Sequence, residues 1–332
     1  MAEANIARAF LAFVLFSGAL AGVPVIWAGT ALPTTIDFPG ASGTRAYGLN
    51  NAGEIVGYYY GASPGNIAYH GFLLADGRFT TIDYPGSYGT EAYGINAAGH
   101  IVGVYWDANG AAVGRHGFLF ANGRFTTIDV PRGVNTMAYG ISDDDQIVGV
   151  YTVKSPPAIP GWAETFGDTE YQYDYGHGFV YKAGRFTTID APGARRGQQT
   201  KVRGINAAGQ IVGDYVERAG HNHGFVLTMT HGWFALTTKN FTNVDAPDAR
   251  STSATGINAA GQIVGNFAYN AGYGPGFLLA DGHFTKIDFK NDSFVGLPQA
   301  EGINDAGQIV GHYQVADHGR LFEHGFALNG IP

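Results

Sequence analysis

The sequence predicts an all-β fold: a six-bladed β-propeller of four-stranded blades, closed by an N-terminal strand that pairs into the last blade. Three observations lead there. A Thr-Ile-Asp signature, or a variant of it, is centred on Ile36, Ile82, Ile128, Ile189, Val244 and Ile287, at intervals of roughly 43 to 61 residues, the range of four-stranded propeller blades. Each interval holds four short runs rich in Ile, Val, Phe, Tyr and Thr between Gly-containing turns. The strands also count unevenly: the body opens on a lone fourth strand, Thr34 to Asp37, and ends after a third strand, His324 to Leu328. Joining these two removes both sheet edges, whereas an open solenoid needs polar capping repeats.

Residues Met1 to Thr30 stand apart from the repeats. Arg8 precedes an uncharged apolar run from Ala9 to Ala28, and Ala19-Leu20-Ala21 has the small-x-small pattern of a cleavage site. Residues 1–30 therefore read as a secretory signal peptide, or else as an N-terminal anchor, since the run approaches the length that spans a bilayer. Residues 31–332 then form a single propeller domain outside the cytoplasm, extracellular or periplasmic.

One repeat, Ala92 to Asp129, explains the others. A first strand ends in Gly94-Ile95-Asn96, an Ala-Ala-Gly turn follows, and a second strand carries Ile101-Val102-Gly103 and Tyr105. A loop of variable length leads to a third strand opening with His116-Gly117-Phe118, and an Ala-Asn-Gly turn leads to the fourth. Between repeats, Asp83-Tyr84-Pro85-Gly86 reads as a turn, with Pro preset for its first central position and Gly free to take positive φ at the second. Four strands alone cannot bury both faces, so the repeats must stack.

Composition bounds function. With 51 Gly, 14% charged and 14% aromatic residues, the chain is turn-dense and too apolar for disorder. A net charge of −8, from 19 basic and 27 acidic residues without a basic stripe, excludes a nucleic-acid partner. The absence of Cys excludes disulfides, a zinc ribbon and a thiol nucleophile. No cofactor is implied.

Gly-Gln-Ile-Val-Gly at 209–213, 261–265 and 307–311, preceded by Gly-Ile-Asn and followed in most repeats by His-Gly-Phe, resembles the HAF-type extracellular repeat family of bacteria. The resemblance covers essentially everything after residue 30. It departs from the His-Ala-Phe of the family name, with His-Gly-Phe in five repeats and Pro275-Gly276-Phe277 in the fifth. It implies β-propeller-like repeats and secretion, and no established activity.

Repeated polar residues read first as scaffold. The third-strand histidines (His70, His116, His177, His223, His324) lie two strand spacings from the axis, at least roughly 10 Å out, too far to converge on one ion with bonds near ~2 Å. The Asp that closes each fourth strand is expected to accept backbone N–H groups of the turn, and Asp143-Asp144-Asp145 to be a solvated turn variant. No metal site is expected: Asp168, Glu170 and Asp174 lack the ligand pattern of an EF-hand loop.

Variation between repeats is where function is expected, because binding residues sit on loops held by a rigid scaffold. The insertion from Thr152 to Gly176 holds Trp162, Tyr171 and Tyr173 among carboxylates, a composition suited to sugar stacking. At the start of the first strand, Arg45, Glu91 and Lys201 stand three residues before the strand Gly, and Tyr47, Tyr93, Tyr139, Arg203 and Glu301 one before it. Their spacing of two puts them on one face of the strand, at the channel mouth. The chain is thus expected to be a non-enzymatic binding module for carbohydrate or a cell-surface component. The alternative is a glycosidase or lyase at the channel mouth, with Glu91 and Glu301 as its two carboxylates. A ring serving only assembly is a third reading.

Overall fold

The computed structural model describes residues 26–27, 33–61, 69–107, 114–153, 175–194, 199–231, 237–269, 274–289, 297–317 and 320–329. Those residues form strands joined by tight turns. Three antiparallel sheets have four strands each. They run Gly89–Ile95, Ile101–Trp106, Arg115–Ala121, Arg124–Ile128; Asn135–Ile141, Ile147–Val153, Tyr175–Lys182, Arg185–Ile189; and Thr200–Ile205, Gln210–Val216, Asn222–His231, Thr237–Val244. A fourth sheet, Ser251–Ile257, Ile263–Ala268, Gly276–Ala280 and His283–Ile287, gains Ile26–Trp27 parallel to its outer strand.

The fifth sheet has eight strands, where the sequence pattern predicts two separate four-stranded blades. Ala41–Leu49, Ile55–Gly61, Tyr69–Ala75 and Arg78–Ile82 run as one antiparallel set. Gln299–Ile303, Ile309–Asp317 and Arg320–Leu328 run as another, with Thr34–Ile36 paired antiparallel to its last strand. One parallel bridge, Glu323 to Gly43, merges the two sets. Counting by sheets therefore gives four separate blade-like units and one double sheet. The sets from Ala41–Leu49 to Gln299–Ile303 are called units one to six below.

The sheets are arranged as a propeller, first strands innermost. Each first strand packs against the next, and that of unit six returns against that of unit one. The cores lie between sheets, as stacking requires. Val56 and Ile82 of unit one share a buried cluster with Ala92, Ile95, Ile101 and Phe118 of unit two. At the closing seam Val310 and Ile36 join Ala46, Ile55 and Phe72 of unit one. The Phe of every third strand, from Phe72 to Phe326, is fully buried.

Two turns follow the sequence reading. Gly86 has φ of 77° and Ser87 N–H donates to Tyr84 O at 3.2 Å, as a Pro-Gly turn requires. Each Asn that ends a first strand, and Ser142 in its place in unit three, sits at a tight turn; Asn96 Oδ1 accepts the N–H groups of Ala98 and His100. Its amide donates to Ser142 O of the next unit at 3.1 Å, and Asn304 reaches Asn50 O across the closing seam at 3.2 Å. This girdle is a reason for the repeated Asn beyond turn formation.

Candidate functional site

The first strands crowd the axis. A Cβ on Gly94 would stand 2.8 Å from Tyr139 O of the next unit, and one on Gly302 only 2.6 Å from Tyr47 O of unit one. Only Gly permits that approach. Above this narrowing lies a pocket of about 110 Å³ lined by Tyr47, Tyr93, Tyr139, Arg203, Thr255 and Glu301, one from each first strand. Below it Leu49, Ile95, Ile141, Ile205, Ile257 and Ile303 form an aliphatic collar that lines both this pocket and a second one at the Asn girdle.

The pocket is lopsided. Units one to three supply three tyrosines, with Tyr47–Tyr93 and Tyr93–Tyr139 centroids each 4.9 Å apart and tilted edge to face. Units four to six supply Arg203, Thr255 and Glu301. Thr255 Oγ1 donates to Ala300 O at 2.8 Å, so its hydroxyl is committed to backbone.

The two variable rows differ in what they line. Each first strand carries a bulge, between Ala92 and Gly94 in unit two and at the matching position in the others. Tyr47, Tyr93, Tyr139, Arg203 and Glu301 line the pocket, whereas Arg45, Glu91 and Lys201 are not among its lining residues. Arg45 and Glu91 touch the lining side chains: Arg45 Nη1 donates to Tyr47 Oη at 3.4 Å, and Tyr93 Oη donates to Glu91 Oε2.

Several charged groups here went unnoticed in the sequence. Arg203 Nε donates to Asp214 Oδ1 at 2.6 Å, with Asp214 fully buried on the second strand of unit four. Arg45 Nε lies 2.7 Å from Glu323 Oε2, an ion pair by distance whose N–H does not point along a hydrogen bond. His312, 9% exposed, has an Nδ1 without a partner, 3.9 Å from Glu301 Oε1. Asp214 and His312 occupy the position after Ile-Val-Gly, where the chain reads Tyr58, Val104, Val150, Asp214, Asn266 and His312. Variation between two constant residues was the available signal.

Burial dominates the titration of these groups. It raises the Glu91 carboxyl to about 7, against the opposing pull of the Tyr93 hydrogen bond and of Arg115 and Arg45. It raises Glu301 to about 7 as well, opposed by Arg203 and Arg45. Burial, helped by Arg45, lowers His312 to about 3 and keeps it neutral. It also lowers Lys201, with Asp214 opposing.

A stability prediction follows from Glu301. An acid whose folded pKa is raised from the usual 4.5 to about 7 binds more protons folded than unfolded, so its contribution worsens as pH climbs through that window. Glu301→Gln is expected to match the parent near pH 5 and to exceed its stability by about 3 kcal/mol at pH 8, at ~1.4 kcal/mol per pKa unit. Urea titrations at both pH values check it, and a constant difference between them refutes it. His312 works in the opposite sense below about pH 6.5, so the comparison is made against the parent at each pH.

The repeated His hydrogen-bond within their blades, as expected, and the Asp are scaffold by a different route from the one expected. The Asp does not cap the turn. His116 Nδ1 bonds Asp129 Oδ2 at 2.7 Å, and the pairs His70–Asp83, His177–Asp190, His223–Asp245 and His324–Asp37 repeat this at 2.7 to 3.0 Å. The turn N–H goes instead to a Thr at the start of the next first strand, as Tyr84 N–H donates to Thr90 Oγ1 at 2.9 Å. The Asp143–Asp145 run is likewise engaged rather than merely solvated. Asp143 accepts from Ala97 N–H, Asp145 from Asn96 Nδ2, and Asp144 from Lys182, whose hydrogen bond is the main cause of a carboxyl pKa near 2. Among the described residues, no group of three or more His, Asp or Glu side chains is arranged to hold a metal ion. Trp162, Tyr171 and Tyr173, the acids Asp168, Glu170 and Asp174, and residues 1–30 apart from Ile26–Trp27 lie outside the described residues.

No protein-family model matches the chain, and no curated protein sequence matches it. Among solved structures, a protein of unknown function from Dyadobacter fermentans is similar over 92% of this chain and 97% of its own, at 12% identity and a TM-score of 0.51. A lectin from Aleuria aurantia, solved with Fucalpha1-6GlcNAc, is similar over 87% and 96%, at 13% identity and a TM-score of 0.46. The β-propeller domain of the Trilobed protease from Pyrococcus furiosus is similar over 87% and 94%, at 11% identity and 0.46. At these identities the likeness is one of fold alone.

Proposed function

We propose that the chain is a secreted six-bladed β-propeller of the HAF type whose axial pocket binds a carbohydrate without altering it. The count of six is supported by the cyclic contact of six first strands and by the single bridge that joins the double sheet. The opening Thr34–Ile36 pairing supports closure through the N-terminal strand. Export, to the periplasm or beyond, rests on the apolar run from Ala9 to Ala28.

The single observation that carries the ligand reading is the lopsided pocket. Three tyrosines face Arg203 and Glu301, which sets aromatic surface for the C–H face of a sugar ring against donors and acceptors for its hydroxyls. Binding to a glycan panel is the test. Tyr139→Ala is expected to weaken any bound glycan about tenfold or more, since an aromatic contact is worth ~0.5–1.5 kcal/mol beyond its area. Unchanged affinity removes the pocket from the reading.

The carboxylate pair favours one rival. Glu91 and Glu301 are both raised to about 7, the condition of a proton donor in glycoside cleavage. Product analysis of every bound glycan separates the two readings, with no cleavage expected. Turnover that disappears in both Glu91→Gln and Glu301→Gln establishes the enzyme instead.

A further inference from the structure

We propose that the sugar held in the axial pocket carries a free ammonium group, bound between Glu301 and the rings of Tyr47, Tyr93 and Tyr139. This rests on the carbohydrate reading above and specifies the charge of the sugar: a hexosamine whose amine is not acetylated.

Glu301 is the acid on the pocket wall whose charge no neighbour takes up. The basic group that lines the pocket with it, Arg203, is held by Asp214 at 2.6 Å, and Arg45 lies 2.7 Å from Glu323. Glu91 is engaged by the Tyr93 hydroxyl. Among the described residues no hydrogen bond reaches the Glu301 carboxyl, and His312 Nδ1, kept neutral by burial, stops at 3.9 Å. A carboxylate withdrawn from water calls for a positive partner that also donates.

The tyrosines offer ring rather than hydroxyl. Tyr47 Oη accepts from Arg45 Nη1 at 3.4 Å, Tyr93 Oη donates to Glu91, and Tyr139 Oη donates to Met137 Sδ at 3.4 Å. Each bond reaches back two residues along its own strand. What three neighbouring units leave for a ligand is aromatic surface, with successive centroids 4.9 Å apart. The face of such a ring attracts a cation, more strongly where water is excluded.

Size and charge narrow the substituent. A cavity of about 110 Å³ is well under the ~300 Å³ of pockets that enclose drug-sized ligands, so a small charged group enters with the edge of its ring. An N-acetyl group is larger and uncharged. A hydroxyl gives Glu301 a hydrogen bond but no balancing charge.

Affinity then depends on pH with a definite sign. Glu301 faces Arg203 of unit four, Arg45 and Tyr47 of unit one and His312 on the second strand of its own unit, while Thr255 of unit five brings no charge. Burial raises the Glu301 carboxyl to about 7 against the pull of both arginines, so the free protein holds it largely protonated at pH 6 and ionised at pH 8. A cation binds the ionised form and expels the proton. Affinity for a permanently charged ligand is expected to climb about tenfold from pH 6 to pH 8. Glu91 titrates in the same window without lining the pocket.

Calorimetry on the full-length protein is the test, with four sugars in both gluco and galacto form: the plain hexose, the N-acetylhexosamine, the hexosamine and its N,N,N-trimethyl derivative. The trimethyl compound keeps its charge at every pH. In the form that binds, the hexosamine at pH 7 and the trimethyl compound at pH 8 are expected to bind at least tenfold more tightly than either neutral sugar. The trimethyl compound should lose about tenfold between pH 8 and pH 6. Glu301→Gln, whose fold the stability argument above preserves, should remove both the preference and the pH dependence, and Glu91→Gln should keep both. Neutral sugars bound as tightly as charged ones, or a preference that survives Glu301→Gln, overturn the ammonium site and leave carbohydrate binding intact. Tetramethylammonium bound as tightly as the hexosamine upholds the cation site and overturns the carbohydrate reading. Binding by none of these compounds overturns both.

Discussion

Ile36→Asp is expected to destabilise the protein by about 4 kcal/mol or more and to lower its Tm by about 10 °C, because a charge enters a closed apolar seam. Ile36 is 4% exposed and packs with Val310, Ala46, Ile55 and Phe72. Its strand pairs with Arg320–Leu328 through Thr34–Ala327, Thr35–Phe326 and Ile36–Gly325, on an edge that also makes the single Glu323–Gly43 bridge. The paired control is Thr34→Lys, on an exposed residue of the same strand, which should shift Tm by less than about 2 °C. Scanning calorimetry of both variants settles the matter. If Ile36→Asp melts with the parent, the ring does not depend on its N-terminal strand.

Gly103→Ala is expected to be at least as damaging. A Cβ there would lie 2.0 Å from Glu91 O and 2.7 Å from the Phe118 ring, and the first of these is backbone that cannot rotate away. Relief requires undoing the bulge between Ala92 and Gly94, which sets the direction of Tyr93 into the pocket. We expect a loss of about 4 kcal/mol or more, at the upper end for point substitutions, together with loss of any binding at the pocket. Gly123→Ala is the comparison. Gly123 has positive φ, 74°, which Gly103 does not, but nothing lies within 4 Å of its would-be Cβ, so only about 1 kcal/mol of backbone preference is at stake. Urea denaturation of the pair should show a gap of several kcal/mol, and near-equal values would mean that the bulge yields easily.

The parts legible in the sequence were those that repeat. Thr-Ile-Asp, Gly-Ile-Asn and Ile-Val-Gly recur because each copy meets the same neighbours, so their spacing reports strands and stacking directly. Tyr47, Tyr93, Tyr139, Arg203 and Glu301 were found because they vary inside a constant frame. The row containing Arg45, Glu91 and Lys201 was read onto the same face; Arg45 and Glu91 touch the lining residues Tyr47 and Tyr93 without lining the pocket themselves, which spacing alone does not tell. Asp214 and Glu323 were missed because their partners lie on other strands, and His312 because the acid nearest it, Glu301, does too. Only the sheet register brings Asp214 beside Arg203, and only the meeting of unit six with unit one brings Glu323 beside Arg45. The Asp of Thr-Ile-Asp shows the same limit: its partner, His116 in the case of Asp129, stands 13 residues upstream on the adjacent strand.

The pairing of Thr34–Ile36 with Arg320–Leu328 also sets an order of events. Asp37 meets His324 across 287 residues, so the strand that begins the body has no partner until the rest of the chain has been made. Contacts between such distant segments form late and slowly, since the whole intervening loop must be closed first. Until then the unfinished sixth unit exposes a bare β-edge, the kind of surface on which chains associate with one another. Completion of the ring is thus the step most exposed to competition from a second copy of the same molecule, and refolding yield should fall with protein concentration more steeply than the stability of the finished ring suggests.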